Sequence, residues 1–315
     1  LFILMRALGI SSDYDIIESI ILDMDENSDY IEDFRNSIYH AGGFFDRKVC
    51  LKYISLLVKG KTIKHAHHIL CDYLLPHIGE DNYRKKAYYI GYMMFELIKL
   101  IHGQAQPTDR DNFKYKRVET TGDLMCQLFK EYSKIQYENI RLKIDKDYYF
   151  HQDQYDDYVT NLFSQEKMNE FTSEKVIHIG FKKAFKGNWG AEEHTKRPEV
   201  IQDLNRLSYN SFISHLRKLN LPLDSSAKIV GPRLLHSSQW GIIDPVDTPD
   251  GGNVGLHKHM SLGAHITNGY SSKPIIELLR KLIFMQLITE CTTQYISKCT
   301  KIFVNGAWVG VITNP

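Results

Sequence analysis

The chain has 315 residues, of which 43% are hydrophobic and 24% are charged, and its formal net charge at pH 7 is +1. This composition is ordinary for a soluble globular protein, and the length predicts two or three domains. The sequence has no uncharged apolar run of about 18 residues or more, so no membrane-spanning helix is predicted.

The first third of the chain is predicted to be mostly helical. It opens with LFILMRALGI, which lacks the basic region and cleavage site of a signal peptide. Apolar residues recur at helical spacing over residues 15–22, 64–75 and 83–101, and Pro76 ends the second of these helices. Because the chain lacks an initiator Met and stops on Asn-Pro, we expect it to be a piece of a longer protein.

The middle of the chain continues with a predicted helix over residues 124–147. Residues 174–186 are compatible with either a strand or a helix. Residues 198–219 predict a further helix, because Pro198 is tolerated in a first turn and Pro222 lies just beyond the end.

The last part of the chain alternates between turns, a helix and strands. Residues 242–255 contain DPVDTPDGGNVG, which is rich in turn-forming residues, and residues 266–295 are predicted to be helical. Residues 301–313 predict two strands joined at Asn305 and Gly306, a dipeptide typical of two-residue hairpins. Together these elements predict an α+β fold that is mostly helical at first, mixed later, and closed by a β-hairpin.

The charges are segregated along the chain. Residues 13–33 hold nine acidic residues and no Lys or Arg, whereas residues 181–233 hold ten Lys or Arg against five acidic residues. The basic segment is also rich in Gly, Pro and Trp. Glycine and proline fix unusual backbone shapes and arginine offers a planar fork to phosphate, so this segment favours a rigid loop system that holds a polyanion.

The cysteines favour an intracellular protein with reduced thiols. Their number is odd, they are widely spaced, and no CxxC pair occurs. The five are Cys50, Cys71, Cys126, Cys291 and Cys299.

Motifs for hydrolytic chemistry are weak. Ser237, His236 and Asp244 could form a nucleophile site, but no GxSxG motif supports it. Asp247 and Asp250 could act as an acid/base pair or could simply cap turns, and both interpretations remain open.

Signals for metal or nucleotide binding are equally weak. Two histidine groups could bind a metal. The members of the first are one or two residues apart on a predicted helix and point to different faces, and the second has no carboxylate or cysteine nearby. Neither a GxxxxGK[ST] nor a GxGxxG motif occurs. The two groups are His65, His67 and His68, and His257, His259 and His265.

Four segments in order carry a resemblance to a known family. They are TDRDNFKYKRVETTGDLM, GNWG, LNRLSYNSFISHLRK and PRLLHSSQWGIIDPVDTPDGGNVGLHKHMSL. The chain resembles the second-largest, β-like subunit of multisubunit DNA-dependent RNA polymerases, of the eukaryotic and archaeal type. The resemblance covers the whole chain and implies that it is a part of that subunit.

The resemblance implies four regions. Residues 1–117 are similar to the lobe, and residues 118–188 to the returning segment of the protrusion. Residues 189–269 are similar to the fork, and residues 270–315 to the start of an external domain. These parts are expected to hold template DNA and the RNA–DNA hybrid near the active centre during transcription.

The resemblance also implies site residues. No catalytic residue is expected in this chain, which alone should be inactive, but Arg233 and Asp250 are expected to lie near the active centre. Residues 191–202 and 220–231 resemble the two fork loops. Nucleic-acid contacts are expected from Arg197, Gln202, Arg206, Arg217, Lys218, Lys228 and Arg233. Motif positions with a structural role are His236, Trp240 and Asp247.

The remaining expectations follow from the family. Magnesium is expected in the complete enzyme, with its ligands mainly on the largest subunit and none bound by this chain. Expected partners are the largest and other polymerase subunits, DNA, the hybrid and nucleoside triphosphates, without a membrane. VDTPDG stands where the family has AETPEG, which suggests a divergent enzyme such as that of a large DNA virus, located in a nucleus, viral factory or virion. The alternative is a nucleic-acid-binding protein outside a polymerase.

Overall fold

The computed structural model describes residues 1–58, 60–152, 159–192, 195–197 and 200–313. The chain forms two compact units. The first unit comprises Leu1–Thr108 and Asn268–Pro315, and the second comprises Asp109–Thr267. Helices predominate and the strands pair in small antiparallel sheets, which confirms the predicted α+β class. None of the described helices is long and apolar enough to cross a membrane.

The described α-helices are numbered here in chain order. They are α1 (Phe2–Ala7), α2 (Asp13–Ile21), α3 (Arg35–His40), α4 (Arg47–Leu57), α5 (Ile63–His68), α6 (Tyr83–Ile101), α7 (Thr121–Phe150), α8 (Gln165–Phe171), α9 (Val176–Ala184), α10 (Tyr209–Leu216), α11 (Lys273–Leu282) and α12 (Thr293–Lys298). The strands are β1 (Lys218–Asn220), β2 (His257–His259), β3 (Gln286–Leu287), β4 (Thr300–Val304) and β5 (Ala307–Ile312).

The first unit contains an apolar core between α2 and α6. The two helices approach so closely at Gly91 that a Cβ atom there would lie 2.6 Å from the carbonyl oxygen of Ser19. Arg6 is almost fully buried beside this core, and its guanidinium pairs with Asp13 and donates to the carbonyl oxygens of Ala41 and Phe44. The core side chains are Phe2, Met5, Leu8, Ile16, Ile17, Ile20, Ile21, Tyr30, Phe34, Ala41, Ala87, Ile90, Phe95 and Ile98.

A three-stranded antiparallel sheet in the order β3-β5-β4 also belongs to the first unit. Asn305 and Gly306 both have positive φ, at 50° and 79°, as a type I′ turn requires. The predicted hairpin is therefore confirmed. The indole of Trp308 is buried in a second apolar cluster that includes Tyr88 of α6 and Ile296 of α12.

The second unit contains a long helix, α7, that packs against α9 through Leu128, Tyr132 and Ala184. A Cβ atom at Gly180 would lie 2.5 Å from the ring of Tyr132, so the glycine permits this close packing. Strand β1 pairs with β2 in an antiparallel register that places Lys218 opposite His259. The five free thiols are divided unequally, since Cys126 on α7 is exposed and is the one cysteine of the second unit.

Most predicted helices are confirmed, and two predictions are wrong in extent. The predicted helix 198–219 forms only as α10. Residues 202–206 are irregular, and Ser208 caps the start of the helix in a reciprocal capping box with Ser211. Pro198 lies outside the described residues. The predicted helix 266–295 forms only as α11 and α12, because β3 between them pairs with β5.

Candidate nucleic-acid interface

The segment around Asp109 is tied to the PRLLHSSQW segment by a chain of hydrogen bonds. His236 Nε2 lies 2.6 Å from Asp109 Oδ2, and His236 Nδ1 lies 2.6 Å from Ser238 Oγ. The Phe113 amide donates to the same Ser238 Oγ at 2.8 Å. The contacts fit an imidazole that donates from Nε2 and accepts at Nδ1. His236 thus joins two segments that are 127 residues apart in sequence.

The carboxylate partner of His236 is Asp109 and not Asp244, which sequence analysis had considered. The backbone N–H of Asp111, and after it the His236 side chain, hold the pKa of Asp109 below its usual value. Asp244 instead accepts the backbone N–H groups of Val246 and Asp247, which lower its pKa in the same way. Asp244 therefore acts as a turn cap.

A buried lysine contacts the PRLLHSSQW segment. Lys258 on β2 is only 7% exposed, and its Nζ lies 3.5 Å from Gln239 Oε1. Burial lowers the pKa of Lys258, and the negative charge of Asp111 partly opposes that shift. A Cβ atom at Gly231 would lie 2.6 Å from Asp111 Oδ2, so the glycine of the GPR motif lets the two segments approach closely.

Thr248 closes the DTPDGGNVG loop onto β2. Its hydroxyl accepts the Gly255 N–H at 2.9 Å and donates to the His257 carbonyl oxygen at 3.0 Å. Asp247 lies 3.2 Å from His259 Nδ1, and Ser214 also contacts that histidine at 2.9 Å. The loop is thereby fixed at both of its ends.

Arg233 is held by backbone oxygens from two directions. Its Nη1 donates to the carbonyl oxygens of Gly252 at 2.6 Å and Val254 at 3.0 Å. Its Nη2 donates to those of Ser225 at 3.0 Å and Ala227 at 3.3 Å. The guanidinium therefore connects the loop before it to the glycine-rich turn after it.

Two other predicted nucleic-acid contacts also have partners within the chain. Arg197 forms a bidentate ion pair with Glu119, and the Arg197 side chain is 35% exposed. Arg217 donates to the carbonyl oxygen of Ser261, while its Nε is buried with no hydrogen-bond partner in the described part of the chain.

The remaining predicted positions are more accessible. Arg206 and Lys228 are exposed, and neither has a side-chain partner among the described residues. Gln202 is exposed and its Oε1 lies 3.0 Å from His215 Nε2, whereas Lys218 is half-buried in β1. Asp250 is exposed and the Trp240 indole is 72% exposed. The nucleic-acid contacts of all these positions stay predictions.

Sequence reasoning missed the polar residues that organise this region, namely Asp109, Asp111, Gln239 and Lys258. The alternating charges of TDRDNFKYK were a visible signal, but their partners lie far along the sequence. His257 and His259 lie two residues apart on β2, and the Nδ1 atom of His259 is engaged by Asp247 and Ser214. In the described residues no group of three His, Cys, Asp or Glu side chains is arranged to hold a metal ion.

Comparisons with known proteins match two parts of the chain to family models. Residues 1–119 match RNA polymerase Rpb2, domain 2, and residues 202–266 match RNA polymerase Rpb2, domain 3. Together the two models cover the region that holds the apolar core of the first unit and the hydrogen-bonded motifs of the second.

Individual relatives are similar over the length of the chain. The DNA-directed RNA polymerase II subunit RPB2 of Encephalitozoon cuniculi is 35% identical over 100% of this chain and 27% of that subunit. The DNA-directed RNA polymerase II subunit 2 of Arabidopsis thaliana is 36% identical over 100% of this chain and 26% of its own length. The DNA-directed RNA polymerase subunit Rpo2N of Methanocaldococcus jannaschii is 30% identical over 89% of this chain and 54% of its own length. The chain thus spans about a quarter of the first two relatives.

Proposed function

The chain belongs to the family of second-largest subunits of DNA-directed RNA polymerase, and we propose that it forms part of the nucleic-acid cleft of such an enzyme. In this proposal the assembled enzyme transfers nucleotides, while the chain holds template DNA and the RNA–DNA hybrid. The similar proteins are polymerase subunits by name, which supports a role in a polymerase and not the alternative of a binding protein outside one.

One observation carries the proposal. The motif segments at residues 109–116, 231–240 and 247–259 form one hydrogen-bonded cluster, and Arg206 and Lys228 are exposed in the same unit. A polymerase must hold every sequence equally, so it needs contacts to the phosphate backbone rather than to base edges. Exposed cations on a rigid loop frame suit that requirement.

The division into lobe at 1–117, protrusion at 118–188, fork at 189–269 and external domain from 270 is part of the same proposal. So is the placement of Arg233 and Asp250 near the active centre. The proposed partners are the largest and other polymerase subunits, DNA, the hybrid and nucleoside triphosphates. For a eukaryotic enzyme the proposed location is the nucleus.

Magnesium does not fit the described residues as a resident ion. The carboxylate of Asp247 is engaged by His259, and Asp250 has no second carboxylate arranged with it to bind a metal ion within the described part of the chain. From the resemblance, we propose that the metal ligands of the complete enzyme lie mainly on the largest subunit.

The salt dependence of DNA binding tests the cleft proposal. The slope of log K against log salt concentration is negative for a protein that contacts phosphate. Replacing Lys228 by Gln in the assembled complex should reduce the magnitude of this slope by about one, since each phosphate contact releases about 0.9 counterions. Arg206→Gln should act similarly. The matched control is Lys281→Gln, an exposed lysine of the first unit, which should leave the slope unchanged. Unchanged slopes for both cleft variants would remove them from the proposed interface.

Assembly offers an independent test. The chain should copurify with a larger polymerase subunit and with template-dependent RNA synthesis. Stable isolation without either would contradict the proposed function, whatever its affinity for DNA.

A further inference from the structure

We infer that Arg233 is a positioning residue, which fixes the loop at residues 221–230 against the turn at residues 251–254, rather than a side chain that itself binds phosphate. The functional consequence of this inference depends on the proposed function, in which the loop at residues 221–230 lies at the nucleic acid. The contact itself is a property of the fold.

The hydrogen-bonding capacity of the guanidinium supports this role. Its two terminal nitrogens carry four N–H groups, and four backbone carbonyl oxygens accept from them at 2.6–3.3 Å. Bidentate phosphate binding would need two parallel N–H groups from the same fork. Phosphate would therefore have to displace backbone oxygens that already occupy those positions.

The backbone around Arg233 is also closely packed against the turn. Gly255 has a φ of +70°, and a Cβ atom there would lie 2.2 Å from the carbonyl oxygen of Arg233. A Cβ atom at Gly252 would be in ordinary contact, at 3.7 Å, with the side chain of Ser225 on the loop. The turn therefore lies close to the backbone of Arg233 and also close to the loop at Ser225.

The loop has few other attachments. The Leu221 amide donates to the Leu256 carbonyl oxygen at one end, and the bonds from Ala227 and Ser226 to Asp224 are internal to the loop. Leu223, Ile229 and Val230 are all at least 36% exposed, so they form no apolar core beneath it. The Arg233 side chain is consequently the main connection between the middle of the loop and the rest of the unit.

Arg233 and Lys228 have different surroundings, which suit the first to positioning and the second to phosphate contact. No carboxylate pairs with Arg233 in the described part of the chain, but the carbonyl dipoles enclose its charge. Lys228 lies on the loop itself and is exposed without a side-chain partner among the described residues. In this arrangement Lys228 contacts the phosphate, while Arg233 restricts the motion of the loop without making a phosphate contact of its own.

Hydrogen exchange in the assembled complex tests the inference, with Arg233→Ala, Arg233→Lys and Lys228→Ala compared. Both Arg233 variants should speed amide exchange across residues 221–230 by about tenfold, because a lysine has one donor centre and cannot span four carbonyl oxygens. The salt slope of DNA binding should stay unchanged in both, because exposed Lys228 keeps its charge and can still reach phosphate from a more mobile loop. Lys228→Ala should lower the slope by about one and leave exchange unaltered.

A spectroscopic readout separates positioning from mere folding. Residues 220–231 resemble a fork loop that is proposed to lie where the downstream DNA strands separate. An adenine analogue whose fluorescence rises on unstacking, placed at the downstream edge of the melted DNA, should therefore become dimmer with both Arg233 variants, because a more mobile loop would let the strands re-pair. The complexes should retain their subunits, so a loss of folding would not account for the change.

Two outcomes would overturn the inference. In the first, Arg233→Lys behaves like the unchanged protein while Arg233→Ala lowers the salt slope by about one, which is the result for a phosphate contact. In the second, neither Arg233 variant alters exchange in residues 221–230. Failure of the proposed function gives a different pattern, in which exchange rises in the Arg233 variants but Lys228→Ala leaves the salt slope unchanged.

Discussion

The apolar core of the first unit and the motif region at residues 202–267 of the second unit are stabilised in different ways. The first packs Phe2, Ile16 and Ile20 with almost no exposure. In the motif region, every residue of which is described, the buried apolar side chains are Ile243 and Leu256. The motif region is instead held by hydrogen bonds from side chains to backbone.

This difference has a physical consequence. Burial of apolar surface is non-directional and tolerates small movements, whereas a hydrogen bond requires a specific geometry. A region held by directed bonds keeps polar groups and cations at the surface in fixed places. Such a region is suited to present charge to a ligand, and the apolar core is suited to supply the stability.

The largest expected effect lies in the apolar core. Ile20→Ala should reduce the free energy of unfolding of the first unit by about 2–5 kcal/mol, because Ile20 is 1% exposed between α2 and α6. Leu56→Ala, at a position that is 64% exposed, should change it by about 0.5 kcal/mol or less. Denaturant unfolding measures both. Equal effects would mean that the apolar core does not supply the stability of the first unit.

A smaller effect is expected where two helix backbones meet. Gly91→Ala should cost about 1–3 kcal/mol, because its Cβ would lie 2.6 Å from the Ser19 carbonyl oxygen. Gly122→Ala in α7 is the matched control, with nothing within 4 Å of the new atom, and should be neutral or stabilising by up to about 1 kcal/mol. Thermal unfolding compares them, and a neutral Gly91→Ala would show that α2 and α6 are less tightly packed.

The corresponding change in the motif region should act locally. Thr248→Val removes the hydrogen bonds to Gly255 and His257, which should weaken the closed loop by about 1–2 kcal/mol. Faster exchange of the Gly255 amide, without a matching loss of global stability, is the expected result. Thr248→Ser keeps the hydroxyl and should preserve protection. An equally large global loss would mean that the region is not an independent hydrogen-bonded unit.

The smallest effect concerns pH. The pKa of Asp109 is depressed in the folded chain, so its contribution is present above the ordinary value of 3.8 and is lost as pH falls through the lower folded value. Protection of the Phe113 amide, corrected for intrinsic exchange, should therefore include the full contribution of Asp109 near pH 5 and decrease below about pH 4. Asp109→Asn should remove this decline. Constant protection down to pH 2 in the unchanged protein would exclude the role of Asp109.

Regular elements of the fold were predictable because their signals are local. Helix α6 follows from the apolar spacing over residues 83–101, and the hairpin follows from Asn305 and Gly306. The overlong helix prediction failed for an equally local reason. Asn205 accepts bonds from the Leu207 amide and the Ser211 hydroxyl, and this side-chain competition keeps the backbone before Ser208 out of a helix.

The site was only partly predictable. The family resemblance identified His236 and Arg233, and the comparisons confirm the family. No local pattern pairs His236 with Asp109, which is 127 residues away, or brings the charge of Asp111 near Lys258. The carbonyl partners of Arg233 were also invisible, since backbone oxygens occur at every residue and carry no sequence signal.

The exposed thiol of Cys126 gives experimental access to the second unit. The other four cysteines belong to the first unit, where Cys50, Cys71 and Cys299 are buried. A maleimide dye should therefore attach mainly to α7, the helix whose Glu131 accepts bonds from Ala191 and Thr195. Replacing the half-buried Cys291 by Ser would leave a single reactive site, from which changes in the adjoining segment could be followed by anisotropy in real time.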